Sequence, residues 1–233
     1  MKTFTITKSM LDSNGTYIGT TDLSSFQGNI EAEGNLGTVI FKHLAATGHI
    51  IFQAGSGIKA GAGIKAGYEI KAGAGIKAGE EIEAGSGIKS GYGIKAGYGI
   101  KAGEGIEAGE GIEAGWGIKA GSGIEAVAGI KAGLGIKAGE GIEAGEGIEA
   151  GLTIVSKTIS AKFRIFSGLC SWKIPAEKES EIRVEKVLSG TIAFGKLVII
   201  NPPKQIETIK VGNLTFDKNQ VEEALKNLKP INS

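Results

Sequence analysis

The 233-residue chain has one cysteine, four prolines and two histidines, and its only aspartates are Asp12, Asp22 and Asp217. Each scarcity closes a route. A lone Cys170 excludes an intrachain disulfide framework; placed between Leu169 and Ser171 beside Trp172, it is expected in the core rather than as a nucleophile. His43 and His49 stand six apart, without Cys-x-x-Cys or His-x-x-x-His spacing, so no metal-ligand set is expected. So few aspartates leave a Ser-His-Asp arrangement few routes. Glycine does not recur every third residue, which excludes a collagen helix. No apolar run approaches the roughly 18 residues of a membrane-spanning helix, and the opening "MKTFTITKSMLDSNG" has no apolar signal core. The net charge of +1 gives no overall attraction to nucleic acid or a membrane. The expectation is a cytoplasmic, non-enzymatic protein with no cofactor, no bound metal and no membrane partner.

What is abundant is glycine, 40 residues of it, far above the usual share of about 7%. Isoleucine stands at every sixth position from Ile58 to Ile154, and Lys or Glu follows it until Val155. The hexad is G-I-[K/E]-A-G-x. In an extended segment alternate residues face opposite ways, so Ile and Ala share one face and the charge takes the other. Ile and Ala must line the core, because a register of lysines and glutamates cannot be buried unpaired. The free position holds residues as different as Ser122, Tyr68, Trp116 and Glu146, which places it outward at a corner. The glycine before it is expected to turn the chain with unusual φ/ψ; the glycine before Ile leaves the outer surface thin.

Such a period predicts a mainly β protein, a β-solenoid (β-helix) whose strands pair with the equivalent strands one coil later, about 4.8 Å along the axis. Two hexads close a 12-residue coil and three an 18-residue coil. "GEGIEAGEGIEAG" occurs at 103–115 and again at 139–151, an offset of 36 that both models accept. Stacking the charges does not choose between them. Volume favours three sides, because Ile needs opposing Ile.

Three regions are expected: an N-terminal cap with degenerate coils (1–55), the regular solenoid (56–155), and a β-rich C-terminal capping or oligomerisation region (156–233) ending in a helix over 218–228. Ile159, Ala161, Phe163 and Ile165 alternate with polar residues as a strand. Asp217 to Gln220 has the form of a capping box, Phe216 and Val221 that of a hydrophobic staple. Val221, Leu225 and Leu228 give an apolar stripe that Pro230 stops, the expected contact of a small homo-oligomer.

The hexads resemble the left-handed β-helices built on hexapeptide repeats over about 100 residues, a resemblance that implies a coiled parallel β fold and acyltransferase activity. In that family the small inward residue precedes the large one by two; here Ala follows Ile by two. "IEAEGN" (30–35) resembles a stretch of the bactofilins, which implies polymerisation. The whole pattern resembles bacterial and phage-type repeat proteins of unassigned role, and its small form suits an accessory or counter-defence protein.

"GTIAFGKL" (190–197) has the outline of a phosphate loop but carries Leu197 where Ser or Thr should meet magnesium, and a β pattern follows where a helix should open. The charge layout says more. Residues 56–103 hold seven Lys and four Glu, whereas 104–151 hold three Lys and nine Glu. Glu104, Glu107, Glu110 and Glu113 recur as Glu140, Glu143, Glu146 and Glu149, and are expected to form one acidic panel. Tyr92, Tyr98 and Trp116 add exposed aromatic corners of the kind enriched at interfaces. These eleven residues are the candidate partner-binding set, for a protein partner that itself binds nucleic acid. The working expectation is a binding protein that presents rigid charged ladders, as a nucleic-acid mimic or an inhibitor of a nucleic-acid-handling complex. A self-assembling structural protein and a hexapeptide-type transferase are the alternatives.

Overall fold

The computed structural model describes residues 1–201, 208–211, 214–217 and 221–223. It is a parallel β-solenoid of about 9 turns at a spacing of about 18 residues. Each Ile-[Lys/Glu]-Ala triplet lies in a short strand, of three residues in most coils, with both apolar side chains buried. Pairing decides between the two coil models: Ile58 lies against Ile76, Ile64 against Ile82 and Ile70 against Ile88, each three hexads on. The coil has three sides because three Ile columns are needed to fill its centre; every hexad Ile from 58 to 154 is at most 1% exposed.

The three strand columns define three faces, in chain order. The first contains Ile58–Ala60 and its successors at 76, 94, 112, 130 and 148. The second contains Ile64–Ala66 and those at 82, 100, 118, 136 and 154. The third contains Ile70–Ala72 and those at 88, 106, 124 and 142. The free hexad position sits at the corners, and its backbone also stacks: the Trp116 N–H donates to the Tyr98 carbonyl at 2.8 Å. Where Ser replaces inward Ala, its hydroxyl finds a carbonyl, as Ser90 Oγ does on Ala74 at 2.7 Å. A buried hydroxyl without such a partner would cost the fold.

The corner glycines have a different cause from the one expected. No glycine from Gly57 to Gly151 has a positive φ. What they need is room: a Cβ on Gly79, Gly97 or Gly121 would lie 1.9 Å from a carbonyl oxygen of the coil below. Backbone there approaches backbone so closely that, in the regular hexads, Val127 alone carries a side chain at this position. The glycine before Ile is less constrained; at Gly99 the nearest backbone oxygen would be 3.6 Å from a Cβ.

Outside the regular coils the spacing changes. Ile30, Ile50 and Ile70 stack at intervals of twenty, and Phe41 and Phe52 take inward positions that Ala60 and Ala72 hold one coil later. Phe4, Tyr17 and Phe26 join them in a chain of aromatic contacts that closes the N-terminal end. Beyond the regular hexads, the strand Thr158–Ser167 is not a flat alternating strand. It rounds a corner, pairing over 158–161 on the third face and over 165–167 on the first. Phe163 therefore sits at the corner and is 56% exposed, not inward.

From Ser167 the chain leaves the first face and re-enters the second at Glu181, an excursion over 168–180 that ends in a 3-10 turn, Glu177–Ser180. Cys170 lies in it, half-buried. Coils continue through Lys196–Ile199, and this compact unit runs Met1–Ile200, past the expected boundary at 155. A second unit, Asn201–Ser233, has an antiparallel pair, Thr208–Val211 with Leu214–Asp217, and one helical turn at 221–223. The capping-box residues 218–220, and Leu225, Leu228 and Pro230, lie outside the described residues, and of the Phe216 side chain nothing is described.

Candidate functional site: three chemically different faces

Because Ile and Ala are fixed by the core, each face is distinguished only by its outward residues. On the first face the outward column runs Lys59, Lys77, Lys95, Glu113, Lys131, Glu149. Opposite charges alternate in its later coils and pair along the axis: Lys95 with Glu113 at 2.7 Å and Lys131 with Glu149 at 2.8 Å. On the second face the column is Lys65, Glu83, Lys101, Lys119, Lys137. Glu83 takes hydrogen bonds from Lys65 and Lys101, in that order of effect, and they hold its carboxyl below the ordinary value. Glu83 in turn raises Lys101. Lys119 and Lys137 have no acid within 4.0 Å among the described residues.

The third face is acidic in its later half. Its column runs Lys71, Lys89, Glu107, Glu125, Glu143. The corner it shares with the second face carries Glu104, Ser122 and Glu140, stacked by N–H to carbonyl bonds. The corner it shares with the first carries Tyr92, Glu110, Ala128 and Glu146, stacked likewise. Seven glutamates thus occupy three consecutive coils of one face and its two edges, with no basic residue among them. Glu107 alone has an ion partner within 4.0 Å among the described residues, Lys89, whose ammonium it raises.

The expected panel is therefore redrawn. Six of its eight glutamates come together. Glu113 and Glu149 do not: they belong to the first face, in ion pairs with lysines. Glu125 completes the panel; it lies outside the phrase repeated at an offset of 36, a spacing that skips every second coil. The signal was present in the residues after Ile at an offset of 18.

The aromatic candidates divide in the same way. Tyr92, 57% exposed, borders the acidic panel. Tyr98 and Trp116 lie on the corner between the first and second faces, the one corner that does not touch the acidic face, and their rings stack at 4.6 Å.

Each face also carries an open trough between its charge column and the preceding corner. The largest, about 1160 Å³, lies on the first face over Gly93, Gly111 and Gly129 and reaches Phe163 and Phe166. Its walls bear charges of both signs in near balance, so it offers length and exposed backbone but no concentrated field. No group of three or more His, Cys, Asp or Glu placed to hold a metal occurs among the described residues; His49 bonds Glu31 at 3.2 Å instead. The phosphate-loop outline at 190–197 runs through two strand segments, Lys186–Phe194 and Lys196–Ile199, with a strand rather than a helix after Gly195. Comparison with family models, with curated proteins and with solved structures gives no match.

Proposed function

We propose that this chain is a non-enzymatic binding protein that presents its acidic third face to a positively charged surface on a protein partner, and that the partner's surface is one built to hold nucleic acid. The observation that carries this is charge density. Seven glutamates over three coils, each about 4.8 Å high, give about one negative charge per 2 Å of axis. Double-stranded nucleic acid carries one per about 1.7 Å. A solubilising surface has no need of such concentration on one face while another holds lysines. Association would be steered by the field and would weaken steeply with salt. The small size, and the resemblance to phage-type repeat proteins, suit an inhibitor of a nucleic-acid-handling complex.

The test is capture from native lysate by wild type and by a variant with Glu104, Glu110, Glu125, Glu140 and Glu146 changed to Lys. All five are exposed, so folding should survive, which far-UV circular dichroism checks. Salt-sensitive capture of a nucleic-acid-binding protein by wild type, abolished in the reversed form, is the expected result. Undiminished capture by the folded, reversed protein would leave the panel as a solvated surface.

A second reading, end-to-end assembly, draws on one observation. The last coil leaves Leu197 and Ile199 at least 40% exposed, and its strands Lys186–Phe194 and Lys196–Ile199 have no onward strand partner among the described residues. Filaments seen by electron microscopy at neutral pH would favour it.

A further inference from the structure

The corner between the first and second faces carries an apolar ridge. Tyr98, Trp116, Leu134 and Leu152 stand directly above one another, joined by N–H to carbonyl bonds of 2.6 to 2.8 Å along the corner. The ladder then passes to Gly168, whose N–H bonds the Leu152 carbonyl at 3.2 Å. At that point the chain makes its excursion over 168–180, which projects Trp172 and Ile174, 57% and 96% exposed, from the same corner. The other two corners provide an internal control. Their backbone is the same, yet at the same heights they hold Glu104, Ser122 and Glu140, and Glu110, Ala128 and Glu146. The fold accepts Ser, Ala or Glu at this position, so stability does not require Trp or Leu there. Tyr98 and Trp116 are exposed and Leu134 and Leu152 half-buried; with Trp172 and Ile174 of the longest excursion from the solenoid they form an apolar surface of the kind that marks a binding site.

Charge says what covers it. Lys119 and Lys137, with no acid within 4.0 Å among the described residues, and Lys101, which shares Glu83 with Lys65, line the second-face flank, and on the first-face flank Glu113 and Glu149 are neutralised by Lys95 and Lys131. The acidic face is the one that this ridge does not border. Packed antiparallel about a two-fold axis, two such ridges would set the second-face lysine ladders against each other; packed parallel, Lys101, Lys119 and Lys137 would meet the first-face column, whose lysines and glutamates already neutralise one another, so neither packing offers the lysines a net opposite charge. A second copy is therefore a poor occupant. Trp, Tyr and Leu in a line with lysines beside them are the chemistry that settles into the headgroup region of an anionic bilayer. We infer that this corner docks the solenoid, edge on, against an anionic lipid surface, leaving the acidic face turned away. The net charge of +1, which argued against a membrane partner, averages over faces that the fold separates. The inference does not depend on the role proposed for the acidic face.

Both tryptophans of the chain, Trp116 and Trp172, lie on this ridge, so tryptophan emission reports on it directly. The full chain is titrated with vesicles of phosphatidylcholine alone and of equal parts phosphatidylcholine and phosphatidylglycerol, following emission and co-sedimentation. The expected result is a blue shift and partitioning on the anionic vesicles only. Changing Trp116, Leu134 and Leu152 to Ser, a residue the neighbouring corner already carries at Ser86 and Ser122, should cut partitioning at least about thirtyfold while Trp172 remains as reporter. Changing Lys119 and Lys137 to Glu should weaken it by about thirtyfold without changing the melting temperature. Three results would overturn the inference: no emission shift on anionic vesicles; binding that survives the serine variant; or self-association that the serine variant abolishes in the absence of lipid, which would assign the ridge to a second copy.

Discussion

Phe52 occupies, in the early coils, the inward position that Ala72 occupies one coil later. Phe41 stands in the same way to Ala60. The larger side chains come with a longer coil, twenty residues from Ile50 to Ile70 against eighteen from Ile70 to Ile88. The early coils are thus individual solutions, closed by aromatic contacts, whereas the later ones are interchangeable. Interchangeability has a consequence for function. Once Ile, Ala and the corner glycine are fixed, a regular coil is free only at its outward position and its corner. The charges and the apolar ridge are written there.

The largest effects should come from breaching the inside of either region. Ile112→Asp in the regular coils places an unpaired charge in the core and should abolish the cooperative β signal in circular dichroism. Phe52→Ala in the early coils leaves a cavity and should cost about 3–5 kcal/mol by denaturant midpoint. Glu110→Lys, two residues from Ile112 but outward, should leave both measurements nearly unchanged. If Ile112→Asp and Glu110→Lys cost the same, the assignment of inside and outside is wrong.

An intermediate effect separates the two glycines of the hexad. Gly97→Ala would set a Cβ 1.9 Å from the Gly79 oxygen and should destabilise by about 2 kcal/mol, as overpacking does. Gly99→Ala has 3.6 Å of clearance, and by restricting the unfolded chain should be neutral or stabilising by about 0.5 kcal/mol. Thermal melts of the pair decide this. Val127 is the natural exception at a corner-glycine position; its side chain is 67% exposed, and its N–H still reaches the Ala108 carbonyl at 3.2 Å.

The smallest effect is one of pH. The carboxyl of Glu83 is held below its ordinary value of 4.5 by Lys65 and Lys101. A depressed folded-state pKa contributes stability that is present above the unfolded value and is lost as pH falls through the folded one. Stability should therefore decline slightly as pH drops below about 4.5, and Glu83→Gln should flatten that part of the profile, with a cost near neutral pH below about 1 kcal/mol. An unchanged slope in the variant would remove this pair from the account.

Much of this was legible in particular residues. The isoleucines fixed the six-residue period, the charge between Ile and Ala fixed which side is out, and the variety at the free position fixed the corners. Six of the panel's seven glutamates were legible, Glu104, Glu107 and Glu110 with their repeats, but Glu125 and the pairing of Glu113 and Glu149 with lysines were not. The ridge was not seen as a unit, because Tyr98, Trp116, Leu134 and Leu152 lie eighteen residues apart and become neighbours only when the coil length is known.

By itself, then, the sequence determined that the strands are short, that Ile and Ala are buried and that the coils stack in parallel, since a six-residue repeat of one large and one small apolar residue has no other way to bury both. Only the tertiary structure decided how many hexads close a coil, because that depends on how many isoleucines fill the space around the axis, a property of packing and not of any single hexad. From that number follow the acidic third face, the lysines of the second, and the apolar corner that borders one and not the other.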